Sequence, residues 1–207
     1  MKKQYRCVGF LAREHGLNGL DSLINSDIYN PVCVFTHKLK PKSQDANRSV
    51  REDYSEYDAL CKNNNIPLYS IDSKKEAMKI DEILMGLKEF DFITSISWRR
   101  LIPANQLIMP KIGGVNLHRG KLPDYAGAEP IKQALNNGDD FIYITSHILA
   151  EEIDCGETIA TYKHPVNYNI QEPIYVNIER LKRELTPHFG PLLIKSLSLM
   201  VEKYENR

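Results

Sequence analysis

Short runs rich in β-branched and aromatic residues alternate with longer amphipathic stretches along almost the whole chain. Strands that alternate with helices are joined by right-handed crossovers, so neighbouring strands lie parallel and helices cover the sheet. The pattern therefore predicts an α/β fold with a mostly parallel central sheet and helices on both faces. The predicted strands are residues 5–10, 31–36, 66–70, 92–97, 113–117, 142–149 and 158–162.

Helix signals fall between these runs. Ser49-Val50-Arg51-Glu52 has the form of a capping box and predicts a helix that begins there. A second helix is predicted from about Asp72, and a third over 130–138, with Pro in its first position and Gly at its end. Apolar residues at helical spacing over 174–204 predict a C-terminal helix that Thr186-Pro187 interrupts. This apolar stripe is interpreted as core or as the contact surface of a homodimer.

Composition limits the class of partner. The 207 residues include 27 Lys+Arg and 27 Asp+Glu, so the formal net charge is zero, whereas nucleic-acid-binding proteins usually carry a basic excess. The first apolar run is too short for a signal peptide, and no later stretch resembles a membrane span. The four cysteines show no metal-binding spacing. We expect a single domain over residues 1–207, cytoplasmic and without a metal, whose partner is a small molecule rather than nucleic acid or a membrane.

Three polar side chains are spaced so that two strand ends can bring them together. Asn116 and His118 lie where a predicted strand ends, and the alternation of a strand puts both on one face. Asp154 lies in the predicted turn between the last two strands. A neutral imidazole can take a proton from an attacking amine, and an amide can donate to the oxygen of the attacked carbonyl. A carboxylate can orient the imidazole, so we interpret these residues as catalytic groups that need no metal.

A structural interpretation stands beside the catalytic one. An Asn at the end of a strand and an Asp before a Gly-containing turn are common turn-forming residues. His147 lies inside a predicted strand and is interpreted as a hydrogen-bonded histidine in the core or beside the site. Trp98, the only tryptophan, is suited either to core packing or to stacking on a ligand ring.

A longer pattern surrounds the polar residues. Gly114-Val115-Asn116-Leu117-His118 is followed by Leu122-Pro123, Gly127, Asn137-Gly138, Thr145-x-His147 and Asp154-x-Gly156-x-x-Ile159-Ala160. This pattern resembles the signature of the folate-dependent formyltransferases, strongly over residues 91–165 and weakly before them. The resemblance implies a Rossmann-like formyltransferase fold, 10-formyltetrahydrofolate as the formyl donor, and an N-formyltransferase activity. It also implies that Asn116, His118 and Asp154 form the catalytic triad.

The resemblance further implies how the donor is bound. In the family the pterin ring is held largely by backbone groups of two segments, which match residues 98–102 and 149–153 here. The donor-binding residues predicted on this basis are Trp98, Arg100, Ile102, Glu151 and Ile153.

The acceptor implied by the resemblance is a small primary amine, and a nucleotide-linked amino sugar is favoured. Residues 34–38 and 97–102 look most like that branch of the family. The family's frequent Ser-Leu-Leu-Pro reads Gly120-Lys121-Leu122-Pro123, which removes a hydroxyl and adds a cation. Residues 9–13 lack the Gly-Ser-rich loop that holds ribonucleotide phosphate in glycinamide ribonucleotide enzymes.

Several alternatives stay open at this stage. The chain is also compatible with a glycinamide ribonucleotide formyltransferase and with a methionyl-tRNA formyltransferase-like protein that lacks the C-terminal domain. An inactive folate- or nucleotide-binding module is the non-enzyme alternative. The cations Arg99, Arg100, Arg119 and Lys121 are interpreted either as solvated charges or as partners of the donor's carboxylate or of acceptor phosphates.

Overall fold

A single seven-stranded sheet lies at the centre of residues 3–206, which are the residues that the computed structural model describes. The strand order is β3-β2-β1-β4-β5-β6-β7, and the first five strands in this order are parallel. β6 and β7 run antiparallel to their neighbours. The predicted α/β fold with a mostly parallel sheet is confirmed. The strands are β1 Tyr5–Leu11, β2 Tyr29–Thr36, β3 Leu68–Ser70, β4 Phe92–Ile96, β5 Gly113–His118, β6 Phe141–Ile148 and β7 Thr158–Pro165.

Helices cover both faces of this sheet. Side chains of a strand point alternately to its two faces, and β1 shows the result. Cys7 and Leu11 join one hydrophobic core, whereas Val8 and Phe10 join the other. The helices are α1 Arg13–Ile24, α2 Tyr54–Asn63, α3 Lys74–Ala77, α4 Ile80–Gly86, α5 Ala104–Leu107, α6 Pro130–Asn136, α7 Ile174–Leu185 and α8 Phe189–Glu205, with a 3₁₀ turn at Thr186–His188.

The predicted capping box at residues 49–52 is wrong. α2 begins only at Tyr54, because the Ser49 hydroxyl donates to Asp45 Oδ2 over 2.5 Å instead of capping a helix. The backbone before α2 is also paired with another segment, since the N–H of Arg51 donates to the Lys38 carbonyl instead of to a helical carbonyl.

A true capping box lies at the helix predicted from about Asp72. Ser73 Oγ accepts from the Glu76 backbone N–H over 3.1 Å, and the Glu76 carboxylate accepts from the Ser73 N–H over 2.7 Å. The predicted single helix is divided into α3 and α4.

Helix α1 was not among the predicted elements. It contains Gly16 and Gly19, and glycine disfavours helix interiors by about 1 kcal/mol relative to alanine. The two glycines allow a close approach to the sheet, since a Cβ on Gly19 would lie 2.5 Å from Ile96 Cδ1. The helix is therefore stabilised by packing that sequence patterns do not show.

The α1–α8 contact predicts the effect of a single methyl group. A Cβ on Gly190 would lie 2.8 Å from the Asn18 carbonyl oxygen, whereas a Cβ on Gly86 would meet nothing within 4 Å. Gly190→Ala is expected to lower the free energy of unfolding by about 1–3 kcal/mol through overpacking. Gly86→Ala, the matched control, is expected to leave it unchanged or raise it by less than about 1 kcal/mol. Urea unfolding of both variants measures the difference, and equal stabilities would show that α1 and α8 are not closely packed.

Candidate active site

Strand β5 places two of the predicted site residues side by side. Asn116 pairs with Ser95 of β4 on one side and with His147 of β6 on the other. His118 is the last residue of β5, two positions further along, so its side chain lies on the same face as that of Asn116. Asp154 comes from the loop that joins β6 to β7.

The structure brings all three predicted catalytic residues together. His118 Nδ1 lies 3.1 Å from Asp154 Oδ2, and Asn116 Nδ2 lies 3.4 Å from Asp154 Oδ1. The side chains of His118 and Asp154 are 9% and 8% exposed, so their interaction is only weakly screened by water. The Asp154 carboxylate therefore contacts both polar side chains of β5, those of Asn116 and His118.

A left-handed backbone conformation aims the Asp154 carboxylate into the site. Asp154 has φ +55°, a region that Asp adopts more readily than most residues. The Gly127 backbone N–H donates to its Oδ2 over 2.9 Å. Burial alone raises the pKa of Asp154, but hydrogen bonding and charge from His147, the Gly127 N–H and His118 outweigh burial. Its pKa therefore lies below the ordinary value, and the group is an anion at neutral pH.

The His118 ring lies between two hydrogen-bond acceptors. Nε2 is 2.7 Å from the Tyr125 carbonyl oxygen, and since a carbonyl only accepts, Nε2 carries a hydrogen. Burial lowers the pKa of His118, while the Asp154 carboxylate and the Tyr125 carbonyl raise it in part. The net pKa lies below the ordinary 6.5. A neutral ring has one N–H for two acceptors, the Tyr125 carbonyl and the Asp154 carboxylate, whereas the imidazolium donates to both.

His147 is a fourth member of this polar cluster. It is 2% exposed, and its Nδ1 donates to the Ile148 carbonyl oxygen over 2.9 Å. Because an amide nitrogen only donates, Nε2 accepts from Asn116 Nδ2 over 2.9 Å, and it also lies 3.4 Å from Asp154 Oδ1. The side chain thus orients the Asn116 amide. The sequence could have indicated this role only through the position of His147 opposite Asn116 on the neighbouring strand. That position becomes known only with the register of β5 and β6.

A cavity of about 680 Å³ opens beside the cluster. Four of the predicted donor-binding residues line it: Trp98, Arg100, Ile102 and Ile153. Glu151 is exposed and does not line it, whereas the neighbouring Glu152 does. A role for Glu151 in donor binding stays a prediction.

Two residues that the sequence did not single out support the Trp98 wall. The His37 ring stacks on Trp98 with a centroid distance of 4.1 Å and an interplanar angle of 14°. The Asp72 carboxylate accepts from Arg99 Nη2 over 2.8 Å and from the backbone N–H of Lys38 over 3.0 Å. This wall is therefore built from the three loops that follow β2, β3 and β4. No local sequence pattern predicts that these loops lie together.

Neither a metal centre nor a membrane-crossing helix was found in the part of the chain described. Within residues 3–206, no group of three or more His, Cys, Asp or Glu side chains is placed to hold a metal ion. None of the helices in the same range has the length and apolar character needed to cross a bilayer.

Comparison with known proteins places this site in a family. A model of the formyl transferase family matches residues 15–181. The methionyl-tRNA formyltransferase of Bacteroides fragilis is 30% identical over 203 residues, which cover 97% of this chain and 58% of that protein. The chain therefore belongs to the formyl transferase family, and it spans little more than half the length of this relative.

Solved structures share the fold. A formyltetrahydrofolate deformylase from Pseudomonas syringae pv. tomato has a TM-score of 0.70 at 19% identity, covering 95% of this chain and 61% of that one. A phosphoribosylglycinamide formyltransferase from Brucella melitensis has a TM-score of 0.67 at 21% identity, covering 96% of this chain and 95% of that one. The Rossmann-like formyltransferase fold is thus confirmed.

The electrostatics of the cluster predict the titration of His118. Its pKa lies below 6.5, and the Asp154 carboxylate raises it. Asp154→Asn removes that contribution, so the titration midpoint is expected to fall further, and more of the ring is neutral at any given pH. An NMR titration of the imidazole signals measures both midpoints. Glu151→Gln, which changes a carboxylate in the same loop outside the cavity, is expected to leave the midpoint unchanged. A midpoint that rises in Asp154→Asn would contradict this account.

Proposed function

We propose that this protein transfers a formyl group from 10-formyltetrahydrofolate to the primary amine of a small acceptor, for which a nucleotide-linked amino sugar is the favoured class. The observation that carries the proposal is the convergence of Asn116, His118 and Asp154 at the wall of one cavity. Family membership supports the same chemistry. The donor, when bound, supplies an electrophilic formyl carbon.

The walls around Trp98 suit a folate heterocycle. Ile102, Leu149 and Ile153 give the cavity apolar surface. Among residues 3–206, the backbone N–H and carbonyl groups of residues 100–102 have no hydrogen-bond partner in the protein. Nε of Arg100 is likewise buried without a partner. Unpaired peptide groups beside apolar walls match a flat ring whose edge both donates and accepts hydrogen bonds.

His118 is proposed to act as the general base. A neutral ring supplies only one N–H to the Tyr125 carbonyl and the Asp154 carboxylate, so its other nitrogen can take a proton from the attacking amine. The imidazolium that forms donates to Asp154 Oδ2 and to Tyr125 together. The carboxylate therefore stabilises the positive charge as it appears on the ring. The ring then gives this proton to the departing nitrogen of the donor as the bond between that nitrogen and the formyl carbon breaks, which releases tetrahydrofolate.

Asn116 is proposed to donate to the formyl oxygen as that oxygen gains negative charge. One hydrogen of its amide is held by His147 over 2.9 Å, and the other spans a longer 3.4 Å to Asp154. The longer bond is the weaker one, so this hydrogen is available to a substrate oxygen. A single donor of this kind lowers a barrier by about 3–4 kcal/mol.

Two other acceptors have support from the comparisons. The relative at 30% identity is a methionyl-tRNA formyltransferase, and the Brucella neighbour is a phosphoribosylglycinamide formyltransferase. Release of tetrahydrofolate by the purified protein with each candidate amine discriminates among them. We expect release that depends on the nucleotide-linked amino sugar. Release with another amine reassigns the acceptor, and release without any amine indicates hydrolysis. Donor binding with no release at all would overturn the proposal in favour of a binding module.

Substitutions test the proposed roles. His118→Gln is expected to lower kcat about 10²–10⁴-fold through loss of the base, and Asn116→Ala about 10²–10³-fold through loss of the donor. Tetrahydrofolate binding, measured by calorimetry, is expected to persist in both. His164→Gln changes a histidine that pairs with Glu184 and does not line the cavity, so it serves as the control with unchanged kcat. Turnover of His118→Gln at the wild-type rate would refute the role of this ring.

A further inference from the structure

Positive charge collects in one part of the cavity wall. Arg13, Arg119 and Lys182 all line the cavity, and all three act electrostatically on His15. Lys182 has a carboxylate partner, Glu179, at 2.5 Å. Arg13 and Arg119 have none within 4 Å among residues 3–206. We call Arg13, Arg119 and Lys182 the basic corner.

A chain of hydrogen bonds orients the Arg119 guanidinium. The Thr186 hydroxyl donates to the Lys182 carbonyl over 2.9 Å, so its oxygen is free to accept from His15 Nδ1, also at 2.9 Å. With its hydrogen on Nδ1, the neutral His15 ring presents the lone pair of Nε2 to Arg119 Nη1. The ring is further fixed by stacking on Phe189, with a centroid distance of 4.6 Å and an interplanar angle of 8°.

This arrangement orients Arg119 through a neutral acceptor, and the nearest compensating carboxylate, Glu179, acts on it without a salt bridge. Burial, with the neighbouring cations, lowers the pKa of His15 to about 3, so the ring is neutral at physiological pH. Burial also lowers the pKa of Arg119, but only to about 10, and the guanidinium stays protonated. Its Nε is buried without a hydrogen-bond partner. A buried charge held by a neutral acceptor is unfavourable unless a further anion meets it.

We propose that Arg13 and Arg119 bind a phosphate group of the amine acceptor and that His15 is a positioning residue for Arg119. The inference rests on the proposed function and deepens it, because it assigns acceptor residues. Two guanidinium groups carry a charge of about +2, which the diphosphate of a nucleotide-linked sugar, with one negative charge on each phosphate, balances and a single carboxylate does not. Guanidinium groups also match phosphate oxygens in geometry. Since His118 lines the same cavity, the acceptor's amine and phosphate would be bound together.

Binding of inorganic pyrophosphate to the full chain tests the anion site without any formyl donor. Calorimetry on the wild-type protein is expected to show binding, and Arg119→Gln and Arg13→Gln are each expected to weaken it at least about tenfold. Arg183→Gln removes the same charge one residue beyond Lys182, at a position that does not line the cavity, and is expected to bind as the wild type does. Sodium acetate at matched ionic strength separates phosphate recognition from screening.

The role of His15 is tested by a conservative pair. His15→Gln keeps an acceptor near the place of Nε2 and is expected to retain pyrophosphate binding, whereas His15→Leu is expected to weaken it about tenfold. Thr186→Val removes the partner of Nδ1 and gives a second test if His15→Leu does not fold. Equal affinities in the wild type, Arg119→Gln and Arg13→Gln, or equal binding of acetate, would overturn the inference. Pyrophosphate binding without turnover of any amine would leave the anion site in place and count against the proposed function.

Discussion

The Asp154 carboxylate is the group on which the rest of the site depends. It contacts His118 of β5, the Gly127 backbone N–H, and the pair formed by Asn116 and His147. These partners come from separate stretches of the chain, so a single anion holds the ends of β5 and β6 and the loop before α6 in one arrangement. Hydrogen bonds to a charged acceptor are stronger than neutral ones, so these contacts stabilise the junction. The left-handed backbone at Asp154 is the local condition for it.

Burial divides the charged groups around the cavity into two kinds. Three histidines lose basicity there, because burial lowers the pKa of His15 and of His37 to about 3 and that of His118 below its ordinary value. Arginines stay charged, as Arg119 does with a pKa of about 10. His118 can therefore act as a base and His15 as a hydrogen-bond acceptor, while Arg119 supplies fixed positive charge. A neutral base and a fixed cation in one cavity suit an amine acceptor that carries an anionic group.

Several elements followed from local sequence and others did not. The strands were predicted because β-branched and aromatic residues mark them directly, and the Pro at the start of α6 marks that helix. The capping box at residues 49–52 misled because Asp45 takes the Ser49 hydroxyl. Helix α1 was missed because Gly16 and Gly19 weaken the helix signal, and only contact with the sheet explains them. Propensity is local, and tertiary contacts override it.

The sequence by itself determined the alternation of strands and helices and the spacing of Asn116, His118 and Asp154. The alternation and the spacing both follow from local patterns, namely a period of two along a strand and turn residues at strand ends. Tertiary structure alone decided which groups surround them. His15 and Arg119 are 104 positions apart. His37 and Trp98, which follow β2 and β4, stack at the carboxyl ends of the parallel strands. Such pairs depend on strand order and on how closely the helices approach, which arise from packing of the whole chain rather than from any segment of it.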